Sequence, residues 1–152
     1  MIRKATLADL KRIHDIEVLS FDKGSYPLFV LRQFFDISEP YFLVAEEQNE
    51  ILGYALGHLI KKSGQGWVLS MCVHPDARGH NIGKKLIKRL VEILENNLSN
   101  EICLTVHPDN FSAIKIYQNL GFEHVLTSED YYLDHDVRLV MKKQSLIHRM
   151  HS

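Results

Sequence analysis

Arg78-Gly79-His80-Asn81-Ile82-Gly83-Lys84-Lys85 is the most informative segment of the chain. It follows the apolar run Met71-Cys72-Val73-His74-Pro75. It opens a segment in which Ile82, Leu86, Leu90 and Leu94 lie four apart, with Ile87 and Val91 beside them. That spacing is an amphipathic helix of about four turns. A strand thus feeds almost directly into a helix start, where unpaired backbone N–H groups point outward and attract anions. Gly79 and Gly83 let an anion approach the backbone, Asn81 tolerates the left-handed conformation better than most residues, and Arg78, Lys84 and Lys85 add positive charge. The stretch reads as a pyrophosphate cradle; the plain alternative is a tight turn with solvated basic residues. It is not a P-loop, because Lys84 is followed by Lys85 rather than Ser or Thr. It also lacks the G-x-G-x-x-G run of a dinucleotide-binding βαβ unit.

Upstream of it, Ile2 to Ala5 reads as a short strand. Thr6 as N-cap with Asp9 reaching back opens a helix to about Ser20 that carries Leu10, Ile13 and Glu17 on one face. Asp22-Lys23-Gly24-Ser25 breaks it, and Pro27 at the first helical position opens a second helix over Leu28 to Phe35. Tyr41–Ala45, Ile51–Ile60 and Trp67–Val73 form an antiparallel meander, with Gly53 and Gly57 marking a bend or bulge. Downstream, Ile102–Val106 is a strand. Ala113, Ile116, Tyr117 and Leu120 mark a helix closed by Gly121. Val125–Thr127 and Val137–Met141 are the last strands. Residues 143–152 carry no strong pattern and are expected to form a disordered tail after a single domain over residues 1–142. The expected fold class is α+β, a mixed α/β arrangement around one sheet.

The chain has 152 residues, 45% of them apolar and 24% charged, with 18 Lys and Arg against 19 Asp and Glu. These are ordinary values for one globular domain. The charge balance gives no argument for nucleic acid or an anionic membrane. Cys72 and Cys103 each sit in an apolar run and read as buried thiols rather than a disulfide or metal pair. The N-terminus shows no secretion signal and no run suits a spanning helix, so the cytoplasm is expected. His74-Pro75-Asp76 and His107-Pro108-Asp109 repeat one triplet. Pro and Asp are ordinary turn and N-cap residues there, and no metal is expected.

The segment from Arg78 to Lys84 resembles motif A of the GNAT acetyltransferase superfamily, Q/R-x-x-G-x-G/A: Arg78, Ile82 and Gly83 fit, and Asn81 stands where the first glycine is usual. Asn110-x-x-Ala113-x-x-x-Tyr117-x-x-x-Gly121-Phe122 resembles motif B. The meander, with Leu43-Val44-Ala45-Glu46 and Ile51-Leu52-Gly53-Tyr54-Ala55, is similar to the family's as well, so the resemblance covers all but the tail. It implies a splayed, mostly antiparallel sheet of about seven strands flanked by about four helices, with acetyl-CoA in the gap between the strands at Trp67–Val73 and Ile102–Val106. By the same resemblance, Met71, Cys72, Val73, Arg78, Gly79, His80, Asn81, Ile82, Gly83, Lys84, Asn110 and Tyr117 are the cofactor-binding residues.

The resemblance further implies direct attack of a primary amine on the thioester, an oxyanion held by a strand N–H near Met71 or Cys72, and Tyr117 as the acid that protonates the departing thiolate. The pattern is closest to the branch that acetylates protein N-termini, including the ribosomal-protein alanine acetyltransferases. Tyr26, Tyr131 and Tyr132 are then the acceptor-binding residues. In that branch a Glu or His often stands at the position of Thr105, and a hydroxyl cannot serve as the base. His107, two residues on, is the candidate base, with His74, Glu17 and a water chain as rivals. Asp130, Asp134 and Asp136 make the last loop acidic and suited to a cationic amine. A small-amine acetyltransferase and a non-catalytic acyl-CoA sensor remain as other readings, and monomer and homodimer are both open.

Overall fold

The computed structural model describes residues 1–21 and 24–145. Eleven regular elements follow in chain order: β1 (Ile2–Lys4), α1 (Leu10–Phe21), α2 (Leu28–Ile37), β2 (Phe42–Glu47), β3 (Glu50–Ile60), β4 (Gln65–Val73), α3 (Ile82–Asn96), β5 (Glu101–Val106), α4 (Phe111–Asn119), β6 (Glu123–Ser128) and β7 (Arg138–Gln144). The strands form one seven-stranded sheet in the order β1-β2-β3-β4-β5-β7-β6. Every pairing is antiparallel except β4 with β5. The mixed α+β class expected from the sequence is the class observed.

Two apolar clusters sandwich the sheet. On one side α3 buries Leu86, Ile87, Leu90 and Leu94 completely, against Ala55, Ile102, Leu104 and Met141. On the other, Ile13 and Ile16 of α1 and Leu31 of α2 close over Phe42, Tyr54 and Leu56. The close fit of α3 depends on two glycines of β3. A Cβ on Gly53 would lie 2.8 Å from the Cys72 carbonyl oxygen, and one on Gly57 would lie 2.7 Å from that of Trp67 and 3.0 Å from Leu90. Each glycine also adjoins an irregularity. Leu52 is the extra residue where β3 leaves register with β2, and Leu69 is the extra residue where β4 leaves register with β3.

Local boundaries differ from expectation in three places. Thr6 and Asp9 do pair, the Thr6 N–H donating to Asp9 Oδ2 at 2.8 Å, but they frame a 3₁₀ turn over Leu7–Asp9 that leads into α1. Pro27 is the N-cap of α2, in extended conformation, rather than its first helical residue. The last strand runs on to Gln144, beyond the boundary set at 142. Lys143 is buried there, with Nζ donating to Glu95 Oε1 at 3.2 Å. The remainder of the expected tail, 146–152, lies outside the described residues. Gly121, with φ of +100°, closes α4: the N–H of Phe122 bonds the Tyr117 carbonyl and that of Gly121 bonds the Gln118 carbonyl.

Candidate active site

Strands β4 and β5 pair over only three positions, Gln65 with Glu101, Gly66 with Ile102 and Trp67 with Cys103. Beyond these they part. The His74 N–H bonds back to Leu52 on β3, and alternate residues of an antiparallel strand direct their backbone groups the same way. Cys72 therefore faces β3, while the backbone groups of Met71 and Val73 face the gap.

At the mouth of this gap is a cleft of about 620 Å³. The strand end supplies Met71, Cys72 and Val73 to its wall, the following loop Arg78, Gly79 and Asn81, and the first turn of α3 Ile82, Gly83 and Lys84. Asn110, at the start of α4, closes the far side. The loop geometry is that of an anion cradle. Gly79 has φ of +88° and Asn81 φ of +61°, the left-handed conformation its side chain tolerates. The first helical bond of α3 runs from Lys85 N–H to Asn81 O at 3.0 Å, so the amides of Ile82, Gly83 and Lys84 have no partner inside the helix. Gly83 earns its place by packing: a Cβ there would meet the Met71 sulfur at 3.2 Å. Asn110 caps α4 with Oδ1, which accepts the Ala113 N–H at 3.3 Å and leaves its amide nitrogen free to donate.

Some expected residues are not brought to the cleft. His80 is exposed and does not line it. Tyr117 is only 6% exposed and lies behind it, its ring against Phe122 at 5.8 Å between centroids. Burial alone raises its pKa well above the ordinary tyrosine value. Cys72 contributes a side chain, but its thiol donates to Ser20 Oγ at 2.8 Å, and burial pushes its pKa up to about 11. Lining residues that sequence reasoning passed over are Ser112, Lys115 and Asn119 of α4 and Ser20 and Phe21 at the end of α1. The three from α4 share a helical face with Ile116, but only the folded chain shows which face meets the cradle.

The two histidine triplets do identical local work. His74 Nδ1 accepts the Asp76 N–H and His107 Nδ1 accepts the Asp109 N–H, both at 3.1 Å. Each closes a turn between a strand and a helix. The Nδ1 lone pair is thus committed, so the proton of the neutral ring sits on Nε2 and no lone pair is left for a base. His107 moreover follows the end of β5 rather than sharing its face with Thr105. Among the described residues no group of three or more His, Cys, Asp and Glu could hold a metal ion, and both cysteines are free and buried. No described helix is long and apolar enough to cross a membrane.

Tyr131 and Tyr132 meet over Thr105 of β5. The Tyr132 hydroxyl lies 3.2 Å from Thr105 Oγ1, and its ring packs on Tyr131 at 4.9 Å. Tyr26, half-buried, has its pKa pushed up to about 12 by burial, with contributions from Tyr132 and Glu17. The acidic loop is less free than the sequence suggested. Asp130 accepts the His135 N–H at 2.6 Å and Asp136 pairs with Arg138 at 2.7 Å, which leaves Asp134.

The acetyltransferase (GNAT) family model matches residues 10–122, most of the chain. The chain belongs to this family. Over 95% of its length it is 32% identical to an uncharacterized N-acetyltransferase of Methanocaldococcus jannaschii, of which it covers 92%. It is 29% identical to an N-alpha-acetyltransferase of Sulfurisphaera tokodaii, the match covering 88% of this chain and 86% of that one. Its fold matches that of Ard1 from Thermoplasma volcanium with a TM-score of 0.87 at 19% identity, over 96% of this chain and 97% of the other. As a GNAT N-acetyltransferase it takes its acetyl group from acetyl-CoA.

Proposed function

We propose that this acetyltransferase modifies the α-amine of protein or peptide N-termini. The observation that carries the reading is an aromatic slot over Thr105 of β5, formed by Tyr132 packed on Tyr131, with Tyr26 near enough for Tyr132 to act on its ionisation. Such a slot suits the end of an extended chain, with tyrosine rings giving contact area and hydroxyls giving hydrogen bonds. The relative from Sulfurisphaera tokodaii, an N-alpha-acetyltransferase, supports it. Cytoplasmic residence fits two free, reduced thiols.

In this reading the amides of Ile82, Gly83 and Lys84, with the side chains of Arg78 and Lys84, hold the pyrophosphate. The Met71 N–H, directed into the gap, is the donor for the oxyanion; Cys72, directed at β3, is not. Tyr117 protonates the departing thiolate. Burial keeps its hydroxyl protonated, so it has a proton to give, and among the described residues no group bonds that hydroxyl.

Two measurements test the proposal. A panel of free-amine peptides set against polyamines and amino acids should show kcat/KM highest for peptides; a preference for polyamines would replace the acceptor class. Tyr117→Phe keeps the packing on Phe122 and removes the proton. It should lower kcat about 10²-fold with the melting temperature and acetyl-CoA affinity unchanged. An unchanged kcat would remove Tyr117 from the chemistry.

A further inference from the structure

A line of three hydroxyl and carboxyl groups runs inward from β4 to α1, on the side of the sheet opposite α3. Tyr54, wholly buried, donates its hydroxyl proton to Glu17 Oε2 at 2.8 Å. The same Tyr54 oxygen lies 2.8 Å from Ser70 Oγ. A phenol has one proton, and here the carboxylate has it, so Ser70 must be the donor in the second pair. The direction of the line is thereby fixed: Ser70 to Tyr54 to Glu17. Ser70, half-buried at the outer end, is left with lone pairs free to accept. It adjoins Met71, whose backbone faces the gap, and the extra residue Leu69 lets the strand present Ser70 on the α1 side.

Glu17 is 2% exposed. It faces Tyr54 from β3 and the Cys72 thiol from β4. The Tyr26 N–H reaches it from the loop before α2 at 3.5 Å, and His14 lies near it on its own helix. Burial raises its pKa despite those partners. The other groups weighed as base are spent or unsuited: among the described residues Thr105 has the Tyr132 hydroxyl behind it and no carboxylate to receive a proton, and the Nδ1 atoms of His74 and His107 close turns.

We propose that Ser70 Oγ takes the proton of the acceptor ammonium group and that Tyr54 and Glu17 draw it inward. Ser70 accepts a proton from nitrogen while passing its own to Tyr54, and Tyr54 passes its own to the Glu17 carboxylate. One N–H bond breaks and one O–H bond forms on Glu17. Both hydroxyls end as they began, and the amine keeps the electron pair with which it attacks. Ser70 is the catalytic residue of the three; Tyr54 and Glu17 are positioning residues that act through it. The inference rests on the family's acetyl transfer to an amine, not on the acceptor's identity.

The test uses the full chain and its Ser70→Ala, Ser70→Thr, Tyr54→Phe and Glu17→Gln variants. CoA release is followed at saturating acetyl-CoA against pH, with an alanine-initiated peptide in one arm and spermidine in the other. Ser70→Ala should lose on the order of 10²-fold in kcat/KM with unchanged acetyl-CoA binding by calorimetry, and Ser70→Thr should recover most of it. Glu17→Gln should abolish or displace the acid limb of the profile, because only ionised Glu17 accepts the proton. Combining Ser70→Ala with Tyr54→Phe should cost no more than either alone, as for groups acting as a unit. Wild-type kcat/KM in Ser70→Ala, an unmoved acid limb in Glu17→Gln, or a loss that Ser70→Thr fails to recover would overturn the proposal. Turnover of spermidine but not peptide by the wild type would instead overturn the acceptor class, and the relay would then be read from the spermidine arm.

Discussion

Asn81 and Gly79 sit two residues apart in the cradle, at φ of +61° and +88°, yet they answer to different constraints. A Cβ added at Gly79 would meet nothing within 4 Å, so glycine is there for its backbone alone. Gly79→Ala should cost about 1–2 kcal/mol in the bound loop conformation and raise the acetyl-CoA dissociation constant roughly tenfold, read by calorimetry. An unchanged constant would mean the loop binds in another conformation. Glu17 gives a second test at this scale. Its folded pKa is raised above the ordinary 4.5, so the folded state favours the protonated form. Its contribution to stability is present below the unfolded pKa and is lost as pH rises through the folded one. Glu17→Gln does not titrate, so its melting temperature relative to wild type should climb with pH across that window and level off above it. A difference independent of pH would place Glu17 outside the titrating set.

At the scale of elements, the packing of α3 on β3 and β4 is set by what the strands leave out. Gly57 lets the Leu90 side chain pack directly on the strand, and a Cβ there would lie 3.0 Å from Leu90 and 2.7 Å from the Trp67 carbonyl oxygen. Gly57→Val should therefore destabilise the fold by roughly 1–3 kcal/mol and lower the melting temperature by several degrees. Calorimetric unfolding reads it, and a wild-type melting temperature would show that α3 can lift without cost. The sequence marked both strand glycines as irregular but not their purpose, since a glycine's neighbours across a sheet are far off in the chain. The two His-Pro-Asp triplets illustrate the reverse: local chemistry made them turns, and they are turns.

Across the whole molecule, β7 ties the second half of the sheet to the C-terminal end of α3 through Lys143 and Glu95, side chains 9% and 12% exposed. Breaking a buried pair is destabilising, by up to about 3–5 kcal/mol. Lys143→Met should lower the melting temperature by roughly 10 °C. Pairing it with Glu95→Leu should recover much of the loss, and the absence of any recovery would show that Lys143 acts through its packing on Gly121 instead. The sequence drew its boundary one residue too early to see this pair. After Met141 the apolar alternation stops, and Lys143 reads as solvated until the partner 48 positions away is brought to it.

The order of strands and helices, the amphipathic face of α3, the left-handed Asn81 and the helix start that follows it were all legible in the chain. Each depends on local sterics and on periodicities that neighbouring residues carry themselves. The hydrogen-bonded groups on the α1 side were not. Whether His107 has a lone pair to offer, and that Glu17, Tyr54 and Ser70 form one line, depend on strands and a helix coming together. The separations along the chain are 37 and 16 residues for the two bonds of that line. Hydrogen bonds reach only about 3 Å, so such contacts have no signature in local spacing, and the tertiary structure alone decides them.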